Sequence, residues 1–367
     1  MFDFLTLKPQ AFGLDISDLS IKVARLKKRG GRYRLASFGE FPLQQGIIEN
    51  GEIKKEEALI DILGNLQKHT KGTRLDTAYV IASLPEEKAF LQVIQLPLMK
   101  KEELKQAVLV EAENYIPYSV ETVYIDYALL PLAPNNSNHL DVLLASLPRE
   151  IVDSYVAALR KARLTPLAFE IESLAIARAL IKKETIPYPY LLIDVGATRA
   201  SFSVFAGSSL KFTSSIPISA VQFTRAIAKS FAVDEKEAEE IKKRYGLSAK
   251  DHPDGKRVFD ALVPVLTDLV EQMEKYIDYY ESHAKNGYSS VKEGKIKKVL
   301  LCGGGAVLRG FPEFLSQQLR IDVELGNPWA NILPEVTREV PQIPYEESLR
   351  YVTALGLAIR GVQSSRE

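Results

Sequence analysis

The stretch Leu191–Gly207, LLIDVGATRASFSVFAG, limits what this chain can fold into more than any other. Leu191, Leu192, Ile193 and Val195 form an apolar run that carries one carboxylate, Asp194, near its end. A small turn, Gly196-Ala197-Thr198, follows. Ala200–Phe205 then resumes as a strand with Phe202, Val204 and Phe205 apolar. The pattern predicts two β-strands joined by a tight turn. A charge at the tip of a buried strand is costly unless a cation or hydrogen-bond donors meet it. Two readings are open at this point: a site that answers the charge with a ligand, or a hairpin whose Asp caps its own turn.

The same design occurs earlier. Phe12–Ile16 reads as a strand carrying Asp15, followed by Ser17-Asp18-Leu19-Ser20 and a second strand, Ile21–Leu26, that holds Lys22. A polar turn at Lys27–Arg32 leads to a third strand, Tyr33–Phe41. Near the other end, Lys297–Cys302 is a strand running into Gly303-Gly304-Gly305-Ala306, with a helix expected at Pro312–Leu319. A glycine turn between strand and helix brings backbone N–H groups and a helix N-terminus against an anion or a flat ring. Taken alone it is also consistent with a plain tight turn.

The intervening chain alternates strands and helices. Helical spacing of apolar residues predicts helices over Lys54–Thr70, Lys100–Ile116 and Glu150–Arg163. Extended runs fall at Asp76–Leu84, Lys88–Leu96, Val123–Leu130 and Leu140–Ser146, with a polar hairpin tip at Pro134–His139. Residues 86–164 thus form a compact β-α-β-β-α unit. A short strand, Leu167–Glu172, precedes a small-residue helix, Glu172–Lys182, and a second such helix is expected at Glu346–Arg360. Further elements are a strand at Lys211–Ile216 and a helix at Ser219–Phe231. The run DEKEAEEIKKRY predicts a helix capped by Asp234 and stopped before Gly246, a solvated charged face by default. Lys256–Ala284 holds a long helix expected to begin near Pro264, followed by a loop at Lys285–Lys295, and Ile321–Leu325 is a strand.

Composition removes several classes of function. Lys plus Arg equals Asp plus Glu over 367 residues, which argues against bulk electrostatic binding to nucleic acid or anionic lipid. One cysteine, Cys302, excludes an intrachain disulfide and suits a cytoplasmic protein. Four scattered histidines argue against a zinc site. The N-terminal residues lack the pattern of a signal peptide, no run is long enough to span a bilayer, and the polar C-terminus offers no amphipathic anchor.

The ordered set of two Asp hairpins, a Glu172 helix, a charged helix, a Gly-Gly-Gly turn and a small-residue helix resembles the actin-like ATPase superfamily. Within it, GLDISDLSIKVARL, LPLMKKEELKQAVLVEAENYIPYSVETVYIDYALL, FEIESLAIARAL, LIDVGATRASFSVF, LCGGGAVLRGFPEFL and YVTALGLAIR resemble segments of the PilM family of type IV pilus assembly. The resemblance covers nearly the whole chain. It implies an α/β protein with two RNase H-like lobes and an inserted subdomain shared with the division protein FtsA. The first lobe would comprise 1–85, 165–187 and 343–367, and the inserted subdomain 86–164. The second lobe would have a core of 188–218 and 296–342 and a helical part of 219–295.

The resemblance also implies roles. ATP and Mg²⁺ are the expected ligands, with Asp15 and Asp194 holding the metal through its water shell. Ser17, Ser20 and Lys22 would meet the phosphates from the first hairpin, and Gly196, Ala197 and Thr198 from the second. Glu239 and Lys242 would contact ribose and base, Gly303, Gly304 and Gly305 would lie along the adenosine, and Glu172 would orient an attacking water. The family's first hairpin usually reads Asp-x-Gly-Ser or Asp-x-Gly-Thr; here Ser17-Asp18 replaces the last two residues, so weak or absent hydrolysis is expected. The implied partner is the N-terminal cytoplasmic tail of the inner-membrane protein PilN, seated between the first lobe and the inserted subdomain. Other pilus inner-membrane components would be reached through it. The chain would then be cytoplasmic and peripheral to the membrane, without inserting in it or binding nucleic acid. Alternatives are an active ATPase or small-molecule kinase of the same fold, or an FtsA-like filament; self-association is open.

Overall fold

The computed structural model describes residues 9–29, 32–131, 138–182, 186–283, 294–333 and 340–363. The sequence-predicted tip at 134–139 and loop at 285–295 fall largely outside these, as do the centre of the 27–32 turn and both chain ends. The chain divides into two units, residues 1–184 with 327–367, and residues 185–326.

In the first unit the strands are β1 (Phe12–Ile16), β2 (Ser20–Arg29), β3 (Arg32–Pro42), a small hairpin of β4 (Ile48–Glu49) and β5 (Glu52–Ile53), β6 (Lys71–Gly72) and β7 (Tyr79–Leu84). Helices α1 (Glu56–Gly64) and α2 (Leu66–His69) lie between β5 and β6. Residues 86–164 supply β8 (Phe90–Pro97), α3 (Lys101–Tyr115), β9 (Val123–Leu129), β10 (His139–Pro148) and α4 (Arg149–Lys161). β11 (Thr165–Ile171) and α5 (Glu172–Leu180) follow, and α10 (Tyr345–Ser348) and α11 (Val352–Gln363) close the unit. The second unit holds β12 (Tyr190–Val195), β13 (Ala200–Ala206), β14 (Ser209–Ile216), α6 (Ala220–Phe231), α7 (Glu235–Tyr245), α8 (Pro253–His283), β15 (Lys298–Cys302), α9 (Phe311–Leu319) and β16 (Asp322–Leu325).

Each unit contains the same sheet. In the first, β3-β2-β1 is an antiparallel meander, and β7 then β11 join β1 in parallel. In the second, β14-β13-β12 is the meander, and β15 then β16 join in parallel. In both, the candidate Asp stands near the end of the first strand, Asp15 on β1 and Asp194 on β12. The 86–164 segment has a core of its own: Ile94 and Leu96 of β8, and Val142 and Leu144 of β10, are covered by Leu104, Val108 and Ala112 of α3.

Helix ends follow local chemistry. Asp234 caps α7 by accepting from the Glu237 N–H (2.8 Å), acidic residues occupy the first turn, Lys242, Lys243 and Arg244 the last, and Gly246 ends it at φ +53°. The predicted single helix over 54–70 is instead two, because the Asn65 carboxamide donates to the Asp61 carbonyl (2.7 Å) and breaks the run. The long helix does not begin near Pro264. It starts at Pro253, where a missing N–H costs nothing, and runs 31 residues through Pro264. Pro264 and Asp260 both face solvent, so the carbonyl that loses its partner can bond water. Buried Leu262, Leu266, Leu269 and Met273 hold the helix on either side of it.

Trp329 and Ile332 are buried with Ala24, Leu26, Leu355 and Ile359, so 327–333 packs in the first unit. The small-residue helices α5 and α11 pack directly on each other. A Cβ placed on Gly356 would lie 1.9 Å from the Ala175 carbonyl oxygen. No side chain fits there without separating two helices whose facing residues are almost all buried. Gly356→Ala is therefore expected to destabilise the protein by about 2–3 kcal/mol, read as a lower urea midpoint at unchanged slope.

Candidate functional site

In the first unit, β1 and β2 pair with Asp15 opposite Lys22. Both are nearly buried, with Lys22 Nζ 3.6 Å from Asp15 Oδ2. The Lys22 ammonium also donates to Ser20 Oγ (2.8 Å), and Ser17 Oγ donates to Asp15 Oδ1 (3.3 Å). A further partner is Ser83 at the end of β7, which receives the Ile16 N–H (2.9 Å) and donates to Asp15 Oδ1 (3.4 Å). Asp15, Ser17, Ser20 and Lys22 thus lie in one bonded cluster, and Ser83 joins it. Its signal is only the strand ending Ala82-Ser83-Leu84-Pro85, which by itself says nothing about a partner on β1.

Asp18 caps a turn, but not its own. Its Oδ2 accepts from the Asn50 N–H (3.2 Å) and its Oδ1 from the Gly51 N–H (3.1 Å), across the β4–β5 hairpin. Glu172 is the first residue of α5. The next residue, Ser173, donates its N–H to the buried Glu86 carboxylate (2.9 Å). An acceptor at a helix N-terminus is stabilised by the dipole as well as by the bond.

In the second unit, the turn after Asp194 is closed by the Gly196 N–H donating to the Arg199 carbonyl (2.9 Å). The first N–H groups of α6 dock on this turn: Ala220 donates to the Gly196 carbonyl (3.0 Å) and Val221 to the Ala197 carbonyl (3.2 Å). The glycine turn lies against the same strand end. Gly303 has φ +84°, and a Cβ there would lie 2.0 Å from Asp194 Oδ1; one on Gly305 would lie 2.5 Å from Val195 Cγ1. The Gly305 N–H donates to the Val195 carbonyl (2.8 Å). Gly303 and Gly305 are therefore needed to seat the turn beside the carboxylate, while Gly304 is exposed. Cys302 pairs with Asp194 in register, and burial, then the Asp194 charge, pushes its thiol well above the ordinary range. Thr198 sits half-buried in the turn between Gly196 and Arg199.

The helix after the glycine turn begins at Phe311, one residue before the expected start, and the first N–H groups of α6 bond the Gly196–Ala197 turn. Glu239 and Lys242 are not a solvated face. Lys242 Nζ lies 2.6 Å from Glu239 Oε2, and Thr224 of α6 joins both, donating to Glu239 (2.7 Å) and accepting from Lys242 (2.8 Å). Burial works to raise the Glu239 carboxyl, but the bonds from Lys242 and Thr224 outweigh it and hold it below the usual value. Among the described residues no three His, Cys, Asp or Glu side chains gather as a metal cage. No helix among them is long and apolar enough to cross a membrane.

The model of the family described as type IV pilus assembly protein PilM matches residues 13–362. The chain belongs to the PilM family. It is similar to a structure described as a PilM–PilN type IV pilus biogenesis complex, with 28% identity, 96% of this chain and 99% of that one covered, and a TM-score of 0.78. Two more distant structures share the fold. One is the ethanolamine utilization protein EutJ from Carboxydothermus hydrogenoformans, at 15% identity, 96% and 90% coverage and TM-score 0.55. The other is MreB5 of Spiroplasma citri bound to ADP, at 12% identity, 98% and 98% coverage and TM-score 0.54. This PilM-family chain thus has the actin-like ATPase fold, and each of its two units carries one strand-end carboxylate, Asp15 on β1 and Asp194 on β12.

Thr224 is the residue that sequence reasoning missed on α7's neighbour, since a lone Thr on an amphipathic helix carries no pattern. Thr224→Val keeps the shape and removes one hydrogen bond from each partner while leaving the Lys242–Glu239 ion pair, so a stability loss of about 1 kcal/mol is expected by chemical denaturation. Gly303→Ala combines a left-handed backbone with the contact on Asp194. It should lower the thermal midpoint more than Gly304→Ala does in a side-by-side melt.

Proposed function

We propose that this protein is the ATP-binding component of a type IV pilus assembly platform. It takes up the N-terminal tail of PilN in a groove of the first lobe and the 86–164 segment, and its nucleotide state shapes that interaction. The observation that carries the partner is the 28% identity, over 96% of the chain, to a PilM–PilN complex. Nucleotide binding is supported by the actin-like fold and by the two strand-end carboxylates.

In this reading Asp15, Ser17, Ser20 and Lys22 form one phosphate-facing turn, and Asp194, Gly196, Ala197 and Thr198 the other. Glu239, Lys242, Gly303, Gly304 and Gly305 serve the nucleoside, and Glu172 stands where a water would be oriented. Asp15 and Asp194 would hold Mg²⁺ through its water shell, the carboxylate-plus-water ligation that this ion prefers. Bound there, the ion would offset phosphate charge. Lys22 is already committed to Asp15 and Ser20, so its ammonium is preset on the face of the hairpin. The protein would work at the cytoplasmic face of the inner membrane, tethered by its partner.

Calorimetric titration tests both halves. ATP with Mg²⁺ should bind the wild-type protein, and Asp194→Asn should weaken it by roughly tenfold, about 1.4 kcal/mol. A synthetic peptide copying the PilN tail should bind saturably; no heat with ATP present would sink the partner assignment. Phosphate release should stay below about 1 s⁻¹, the lower end of ordinary enzymes.

A further inference from the structure

The Asp18 carboxylate ties the candidate phosphate turn to the hairpin at Glu49–Glu52, and that hairpin is tied in turn to the 86–164 segment. Asn50 and Gly51 both have positive φ, +49° and +73°, the geometry of a two-residue β-hairpin turn. While the Gly51 N–H is held by Asp18, the Gly51 carbonyl accepts from the Tyr155 hydroxyl of α4 (3.2 Å). Tyr155 is 1% exposed. Burial first, then the charges of Glu172, Glu87, Asp18 and Asp15, push its phenol well above the usual value. At neutral pH it is therefore a donor. Gly51 has no room to slide. A Cβ there would lie 2.5 Å from Pro85 Cβ, and Glu52 beside it is bonded to Lys88 (2.5 Å).

The candidate phosphate turn has reason to change shape. Its Ser17 N–H, expected to face a phosphate, donates to the Ser20 carbonyl (3.0 Å). Freeing that N–H for a ligand rearranges residues 17–20, and Asp18 lies within them. We propose that Asp18 and Tyr155 are positioning residues that carry a change in the 17–20 turn, through the Gly51 peptide, to α4 and so to the peptide-binding part of the molecule. This rests on the proposed function and assigns the regulation of its two ligands to named bonds. The Ser17-Asp18 departure from the usual glycine then has a use. Asp18 stands where the family usually has Ser or Thr, and its two carboxylate oxygens accept from two N–H groups of a second element, which a single hydroxyl there could not do.

Tyr155→Phe keeps the ring and removes one hydroxyl. In the wild type, ATP with Mg²⁺ should change the affinity for the PilN-tail peptide by about fivefold or more, a typical coupling between two sites. In Tyr155→Phe each ligand alone should bind within about twofold of wild type while the coupling factor falls towards one. Asp18→Asn should also reduce the factor. Hydrogen exchange gives a second readout: ATP with Mg²⁺ should slow exchange in residues 12–26 of both proteins, but in α4 only of the wild type. Wild-type coupling, or α4 protection, retained in Tyr155→Phe overturns the proposal. Protection of residues 12–26 without any response of α4 in the wild type also overturns it, and leaves nucleotide binding standing. No heat and no protection anywhere with ATP and Mg²⁺ overturns the nucleotide reading itself, and the relay with it.

Discussion

A carboxylate at 4% exposure near the end of a central strand must be answered from inside the fold, and much of the first unit is arranged around that demand. Asp15 meets it with the Lys22 ammonium from the next strand and hydroxyls from Ser17 and Ser83. Ser83 also fixes the β1–β7 pairing by receiving the Ile16 N–H, so charge satisfaction and sheet register are one arrangement. The chain leaving β7 then meets two more elements. Pro85 backs the Gly51 turn, and Glu86 receives the N-terminus of α5.

The second unit carries its strand-end carboxylate differently: Asp194 is half-buried and lies beside Gly303. Glycines at 303 and 305 let a neighbouring turn close on the strand end. Its polar residues are organised a layer further out, where Thr224 joins Glu239 and Lys242 across two helices.

Both Asp hairpins, the charged α7 with its Asp234 cap and the small-residue helices α5 and α11 were legible in the sequence, because each rests on local spacing; that α5 and α11 pack on each other was not. Where the reading failed, a distant contact had overridden a local signal. Pro264 suggested a helix start, yet buried leucines on both sides carry the helix through it. Asn65 interrupts a run whose apolar period is unbroken. Thr224, the partner of Glu239 and Lys242, was not legible either, because it lies 15 residues before Glu239.

The sequence by itself determined the two strand–Asp–turn–strand units, the glycine turn, the helix caps and the family, since periodicity, turn chemistry and motif order are properties of neighbouring residues. Only the tertiary structure decided what those residues touch. It set Asp18 on the Asn50 and Gly51 N–H groups, Tyr155 on the Gly51 carbonyl, and the N-terminus of α6 on the Gly196–Ala197 turn. The reason is physical: a buried donor or acceptor must find a partner, and which one it finds depends on how the chain folds back, not on what stands beside it in the sequence.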